Sequence, residues 1–142
     1  MFHDVAERTH LAGVPLFFAV VIAHARDGVV LVFNRFRKVW ELPGGLIDAG
    51  DSPRDTARRE LFEEAGCEAI ELQWLGIVTV DDGRSHPGAV YRCRVDSVPE
   101  TMHNFEIEGL SRWQPASVPN PLGDSDRALL ERFGAAVPGL GR

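Results

Sequence analysis

The chain of 142 residues is 44% hydrophobic and 25% charged, values that suit one globular domain over residues 1–142 and exclude disorder, collagen and coiled coil. A formal net charge of −6 leaves out the basic footprint of a general nucleic-acid binder, so anionic ligands must be met by a metal or by local Arg and Lys. Two cysteines, Cys67 and Cys93, are too few for a secreted disulfide framework, and the longest apolar run, Val14 to Ala25, falls short of the about 18 residues that span a bilayer; a cytoplasmic protein without membrane contact is expected.

In chain order, Val14-Pro-Leu-Phe-Phe-Ala-Val-Val-Ile-Ala is rich in β-branched and aromatic residues and predicts a buried strand. Arg26-Asp27-Gly28 signals a turn into a second strand, Val29-Val-Leu-Val-Phe, so the two should form a hairpin. Pro43-Gly44-Gly45 interrupts regular structure, and Asp48-Ala-Gly-Asp51 continues a loop. A helix start follows at Ser52-Pro53-Arg54-Asp55, with Ser52 as cap and proline at the first helical position. Gly66 is a natural terminator, and Ala57, Leu61 and Ala65, widened by Phe62, give the core-facing stripe. Glu71 to Val80 predicts a strand broken by Asp81-Asp82-Gly83. Tyr91, Cys93 and Val95 alternate with Arg92, Arg94 and Asp96 on a further strand. Asp124 to Phe133 has helical spacing, and strands around two helices indicate an α/β sandwich.

The acids of the first helix stand where a helix resists them. Glu60 and Glu64 are four apart and Glu60 and Glu63 three apart, so each like-charged pair costs an isolated helix about 0.2–0.5 kcal/mol. They also occupy the last two turns, where the helix dipole disfavours an exposed anion by about 0.3–1 kcal/mol. A hard divalent cation would remove that penalty, since carboxylate oxygens are the ligands Mg²⁺ prefers. A solvated acidic face is the other explanation, and the upstream residues discriminate between them.

Written out, Gly45-x5-Asp51-x7-Arg59-Glu60-Leu61-x-Glu63-Glu64-x-Gly66-Cys67 resembles the Nudix box, G-x5-E-x7-R-E-U-x-E-E-x-G-U with U a bulky aliphatic. Leu42-Pro43-Gly44 also resembles the usual approach to that box. Two positions depart from the pattern: Asp51 keeps the charge of the usual glutamate with a shorter reach, and Cys67 stands in place of an aliphatic.

The resemblance implies a Nudix-type α/β/α sandwich with a mixed sheet and a catalytic loop-helix-loop. It implies Mg²⁺, or Mn²⁺, held by Glu60 and Glu64, with Glu63 as a further ligand, Arg59 orienting the carboxylates, and Gly45 letting backbone approach the metal. A late-loop general base would be Glu106 or Glu108, competing with Glu60 for that role. On the substrate side, Arg35, with Arg37 and Lys38, could offset phosphate charge, as could Arg92 and Arg94 from the polar strand face. Trp40 could stack on a base or pack in the core; Asn120, before Pro121, is similar in place to a purine-reading asparagine of MutT-like relatives, or a turn residue.

The implied function is pyrophosphohydrolysis of a small nucleotide, foremost a nucleoside triphosphate, oxidised or not, to monophosphate and pyrophosphate. ADP-ribose or another nucleoside diphosphate-X compound is the alternative within the enzyme class. A non-catalytic nucleotide-binding or regulatory module is the alternative outside it. Monomer and homodimer are both left open.

Overall fold

The computed structural model describes residues 1–7, 15–81 and 85–135. The elements are β1 (Phe2–His3), β2 (Phe18–Ala25), β3 (Gly28–Asn34), β4 (Val39–Glu41), β5 (Gly44–Leu46), α1 (Pro53–Ala65), β6 (Ile70–Asp81), β7 (Ser85–Arg94), β8 (Ile107–Trp113) and α2 (Asp124–Phe133). Val14, at the start of the first predicted strand, and Asp82 and Gly83 of the predicted break lie outside the described residues.

The strands form one mixed sheet in the order β1-β6-β7-β2-β3-β4, with β5 also paired to β2 and β8 to β3. The β2–β3 hairpin turns at Arg26-Asp27 as the sequence predicts, with His24 opposite Val29. At the centre, β2 runs parallel to β7, from Phe18 opposite Gly88 to His24 opposite Arg94. Both faces of β2 are covered, which is why its sequence is a continuous apolar run and not an alternation.

Parity along the strands sorts the core into two layers. Ala19, Val21 and Ala23 of β2, Val30 and Val32 of β3, and Tyr91 and Cys93 of β7 meet Ala57, Leu61 and Ala65 of α1. Val20, Ile22, Val29, Leu31 and Val90 face the other way, onto Trp113, Leu129 and Leu130. The result is an α/β/α sandwich in which no helix among the described residues is long and apolar enough to cross a membrane.

Three features differ from the sequence expectation. Gly44 and Gly45 lie in a short strand, because β2 offers a free edge and Ala19 and Val20 pair with them. The weak strand propensity of glycine is overridden by that tertiary pairing. β8 was not predicted, since Ile-Glu-Gly-Leu-Ser-Arg-Trp alternates poorly and only its ends are buried. Phe62 does not widen the core stripe of α1; it is 58% exposed, beside Arg58 on the outer surface. Glu64 takes the place in the stripe instead, seven residues after Ala57 and three after Leu61.

Local chemistry fixes the ends of α1. The Ser52 Oγ accepts the Asp55 N–H at 3.0 Å, satisfying one of the free donors of the first turn. Gly66, at φ 67°, ends the helix in the left-handed region and donates its N–H to the Phe62 carbonyl at 2.9 Å.

Leu61 is fully buried against the sheet, so Leu61→Ala is expected to lower unfolding free energy by about 2–5 kcal/mol. Phe62→Ala, on the outer face, should change it by about 0.5 kcal/mol or less. Urea denaturation of both variants checks the contrast.

Candidate functional site

The site grows out of one helical flank of α1 laid against the β5 strand. Because Glu64 falls on the buried stripe, its carboxyl is carried into the fold and is only 5% exposed. There Oε1 accepts the Gly44 N–H at 2.9 Å. Burial pushes the Glu64 carboxyl up to about 8, the Gly44 hydrogen bond works against that rise, and the charges of Glu60, Glu106 and Glu41 add to it.

Glu60, one turn earlier, lies across the backbone of Gly45. A Cβ on Gly45 would stand 2.6 Å from the Glu60 Cδ, so no side chain larger than hydrogen fits there unless Glu60 moves. Burial raises the Glu60 carboxyl as well, against the lowering influence of Arg59. The two acids therefore stand over successive residues of one backbone segment, and the charge of Glu60 raises Glu64 further.

Arg59 is the cation of this cluster. Its Nη1 lies 3.0 Å from Glu60 Oε1 and 3.5 Å from Glu63 Oε2, and its Nη2 lies 3.5 Å from both Asp48 Oδ2 and Asp51 Oδ2. Glu63 is turned outward to this guanidinium and is exposed, and it is not among the groups acting on Glu64. Asp51, the shortened loop acid, is likewise held at Arg59 and does not enter the buried pocket of Glu64.

A second wall faces the helix. Asn34, at the end of β3 and 1% exposed, donates its Nδ2 to Glu41 Oε1 at 2.8 Å and to Glu106 Oε1 at 3.0 Å. The Asn34 Oδ1 accepts the N–H groups of Phe36 and Arg37 at 2.9 and 3.0 Å, fixing the β3–β4 turn. Arg37 closes on Glu41 at 2.8 Å. Asn104 accepts the N–H groups of Glu106 and Ile107 at 2.9 and 2.8 Å and donates Nδ2 to the Glu63 carbonyl at 2.9 Å, so the loop before β8 is tied to the last turn of α1. Asp126 of α2 accepts the Leu42 N–H at 3.1 Å, and burial pushes its carboxyl up to about 6.

The candidate residues thus separate. Glu106 acts electrostatically on both Glu60 and Glu64, whereas Glu108 is exposed and stands 3.6 Å from Arg35 Nε. Arg35 donates its N–H to the Glu106 carbonyl at 2.8 Å and brings Nη2 to His103 Nε2 at 2.8 Å and to the Asn104 carbonyl at 3.2 Å. Trp40 packs edge-to-face on Phe33 with centroids 5.1 Å apart and against the α2-side core. Asn120 is exposed; its neighbour Pro121 accepts the Trp40 N–H at 2.8 Å. Arg92 engages Gln73, and Arg94 engages Glu71 and Asp96, all within the β6–β7 region and away from the acids of α1.

Asn34, Glu41, Asn104 and Asp126 were not singled out by sequence reasoning. One signal was available for Asn34: a lone amide closing the apolar run Val29 to Phe33 in a buried strand needs partners.

The donor chemistry fits a hard divalent cation. Glu60 and Glu64 supply carboxylate oxygens, Gly45 without a Cβ lets the Glu60 carboxylate lie against its backbone, and burial raises Glu64 with no cation at hand to offset it. Among the described residues, however, no three His, Cys, Asp or Glu side chains already converge on one point. Glu60 and Glu64 form a pair, with Glu106 across from it and Glu63 to one side.

Comparison with known proteins gives a consistent picture. The sequence profile of the NUDIX domain family matches residues 15–133. A methanol dehydrogenase activator of Bacillus methanolicus is 37% identical over 102 residues, covering 68% of this chain and 48% of that protein. An RNA pyrophosphohydrolase of a Sulfurovum species is 38% identical over 75 residues, 49% of this chain and 41% of that protein. The matched stretch spans less than half the length of these curated relatives. The crystal structure of a MutT NUDIX hydrolase from Burkholderia pseudomallei superposes with a TM-score of 0.73 at 21% identity, covering 85% of this chain and 99% of that one.

Glu64 gives the metal-free protein a pH signature. Its carboxyl titrates at 4.5 when unperturbed and at about 8 in the fold, so between those values the folded chain holds a proton that the unfolded chain has lost. The stabilisation is complete below about 4.5 and disappears as pH rises through about 8. Melting temperature in a chelator is expected to fall between about pH 5 and pH 8, and Glu64→Gln to flatten that slope.

Proposed function

The chain belongs to the NUDIX domain family, and from that premise we propose that it is a Mg²⁺-dependent pyrophosphohydrolase, Mn²⁺ serving as a substitute. Its substrate is a small nucleotide, foremost a nucleoside triphosphate cleaved to monophosphate and pyrophosphate, and residues 1–142 act as one domain. The single observation that carries this reading is the Glu60–Glu64 pair, set over Gly44-Gly45 with Glu64 buried and short of a positive partner.

Glu60 and Glu64 would hold the cation beside Gly45, with Glu63, which is turned to Arg59, as a further ligand. When bound, a divalent ion neutralises charge on the diphosphate and acidifies a coordinated water. Arg59 keeps Glu60 turned toward Gly45 while sharing its charge with Glu63, Asp48 and Asp51. Glu106 takes the proton of the attacking water, because it is the late acid that faces the helix pair and Asn34 holds its carboxylate in place. Arg35, at the rim beside the Glu106 backbone, meets the phosphates left outside the acid pair.

Three carboxylates drawn toward one anionic substrate would repel it without the metal. Catalysis here is therefore positioning plus charge neutralisation, and the residues of the site divide that work between α1 and the loop before β8.

Glu106→Gln is expected to lower kcat by about 10²- to 10⁴-fold, the usual weight of a positioned base, with KM little changed. Glu64→Gln should cost at least as much, and Asp51→Asn, which loses only a 3.5 Å contact to Arg59, less than about tenfold. Equal losses at Glu64 and Asp51 contradict the assignment. Assays of nucleoside triphosphates and ADP-ribose with Mg²⁺, products resolved by phosphorus NMR, test the substrate: pyrophosphate release supports the triphosphate reading, phosphate alone opposes it. Cleavage of ADP-ribose in preference moves the chain to the diphosphate-X class, and tight nucleotide binding with no turnover makes it a binding module.

A further inference from the structure

Several large aromatic side chains are exposed, but Phe36 and Phe105 lie together, on the two loops that carry Asn34 and Glu106. Phe36 is 60% exposed and Phe105 is 81% exposed, with ring centroids 5.2 Å apart and planes inclined by 53°. Phe36 is in the β3–β4 turn, and Phe105 immediately precedes Glu106. We infer that these two rings form the platform on which the heteroaromatic base of the substrate stacks, a reading that rests on the acid pair being the phosphate end.

Three observations support this over a chance apolar patch. The carriers of the rings are fixed: the Phe36 N–H is held by Asn34 Oδ1 at 2.9 Å, and the residues on either side of Phe105 are joined by the Asn104 Oδ1 to Glu106 N–H bond of 2.9 Å. Ordering a ligand on such rings therefore costs little loop entropy. Asn34 also binds Glu106, so one buried amide sets the rings and the acid in a common frame. Third, Arg35 stands in sequence between Asn34 and Phe36 and its Nη2 binds the Asn104 carbonyl, so a cation is carried on the same two loops as the rings. A cation beside an exposed ring pair suits a stacked base joined to phosphate.

Size argues against a protein partner. Two phenyl rings offer a few hundred Å² at most, since an aromatic side chain buries about 150–250 Å², whereas a stable interface takes about 800 Å² from each partner. Trp40 is already engaged by Phe33 and the core.

The test uses the intact chain and two readouts. NMR titration with AMP and GMP is compared with ribose 5-phosphate, which has the sugar phosphate but no base. Turnover of ATP is compared with that of 5-phosphoribosyl 1-diphosphate, which has a diphosphate but no base. Phe105→Leu and Phe36→Leu keep apolar bulk at exposed positions and remove the π-face; Phe105→Trp retains it. The leucine variants are expected to weaken AMP and GMP binding by about 5- to 100-fold and to raise KM for ATP with kcat held. Ribose 5-phosphate binding and turnover of the base-free diphosphate should stay unchanged, and Phe105→Trp should behave as the parent.

Equal losses on base-bearing and base-free ligands overturn the platform, as does a parent protein that binds AMP and GMP no better than ribose 5-phosphate. A dimer in sedimentation that Phe105→Leu dissolves also overturns it, assigning the rings to a second copy. Base-dependent AMP binding through Phe105 with no diphosphate hydrolysed leaves the platform standing and removes the hydrolase reading. Hydrolysis indifferent to both phenylalanines does the reverse.

Discussion

The constraint on which this structure turns is a carboxyl group placed where a helix ordinarily puts a hydrocarbon. Ala57, Leu61 and Ala65 dock α1 on the sheet, and helical geometry then leaves Glu64 no route to bulk water. The Gly44 N–H relieves part of the desolvation, and the rest is stored as a raised affinity for positive charge, whether proton or metal ion. Core packing is thus the force that holds an ionisable group in an unfavourable setting. Helix packing and site chemistry cannot be separated at this position.

Around that carboxyl, the cluster is organised by neutral amides as much as by charges. Arg59 gathers the exposed acids on one side, but across the site it is Asn34 and Asn104 that position Glu41, Glu106 and the two turns. An amide donates and accepts without adding a charge, so it aims carboxylates without quenching them. A lysine in the place of Asn34 would have paired with Glu106 and drawn it away from the helix acids.

What the sequence revealed and what it hid follow from the range of the interactions. The Ser52 cap, the α1 stripe, the Gly66 terminator and the β2–β3 hairpin depend on neighbours a few residues away, and each was legible. The family resemblance set Glu60 and Glu64 ahead of Glu63; what it left unread was the seven-residue step from Ala57 to Glu64, which places only that acid on the buried face. Phe62 is apolar, yet its helical angle, one residue past Leu61, carries it off the buried face. β5 and β8 were hidden because partners on β2 and β3, not their own residues, make them strands. Asn34 finds Glu106 72 residues later, a separation at which no local pattern survives.

The Asn104 anchor also bears on how such a chain tolerates change in length. In the stretch between β7 and β8, His103 reaches Arg35 and Asn104 fastens both Glu106 and the end of α1. Upstream of that rivet Val98 packs against the α1-side core and Pro99 lies against Gly66, so a change in length is absorbed only at the exposed Ser97, Glu100 and Thr101, leaving the span between the two acidic walls unaltered. Evolution has a segment in which to add recognition elements while leaving the reacting groups in register.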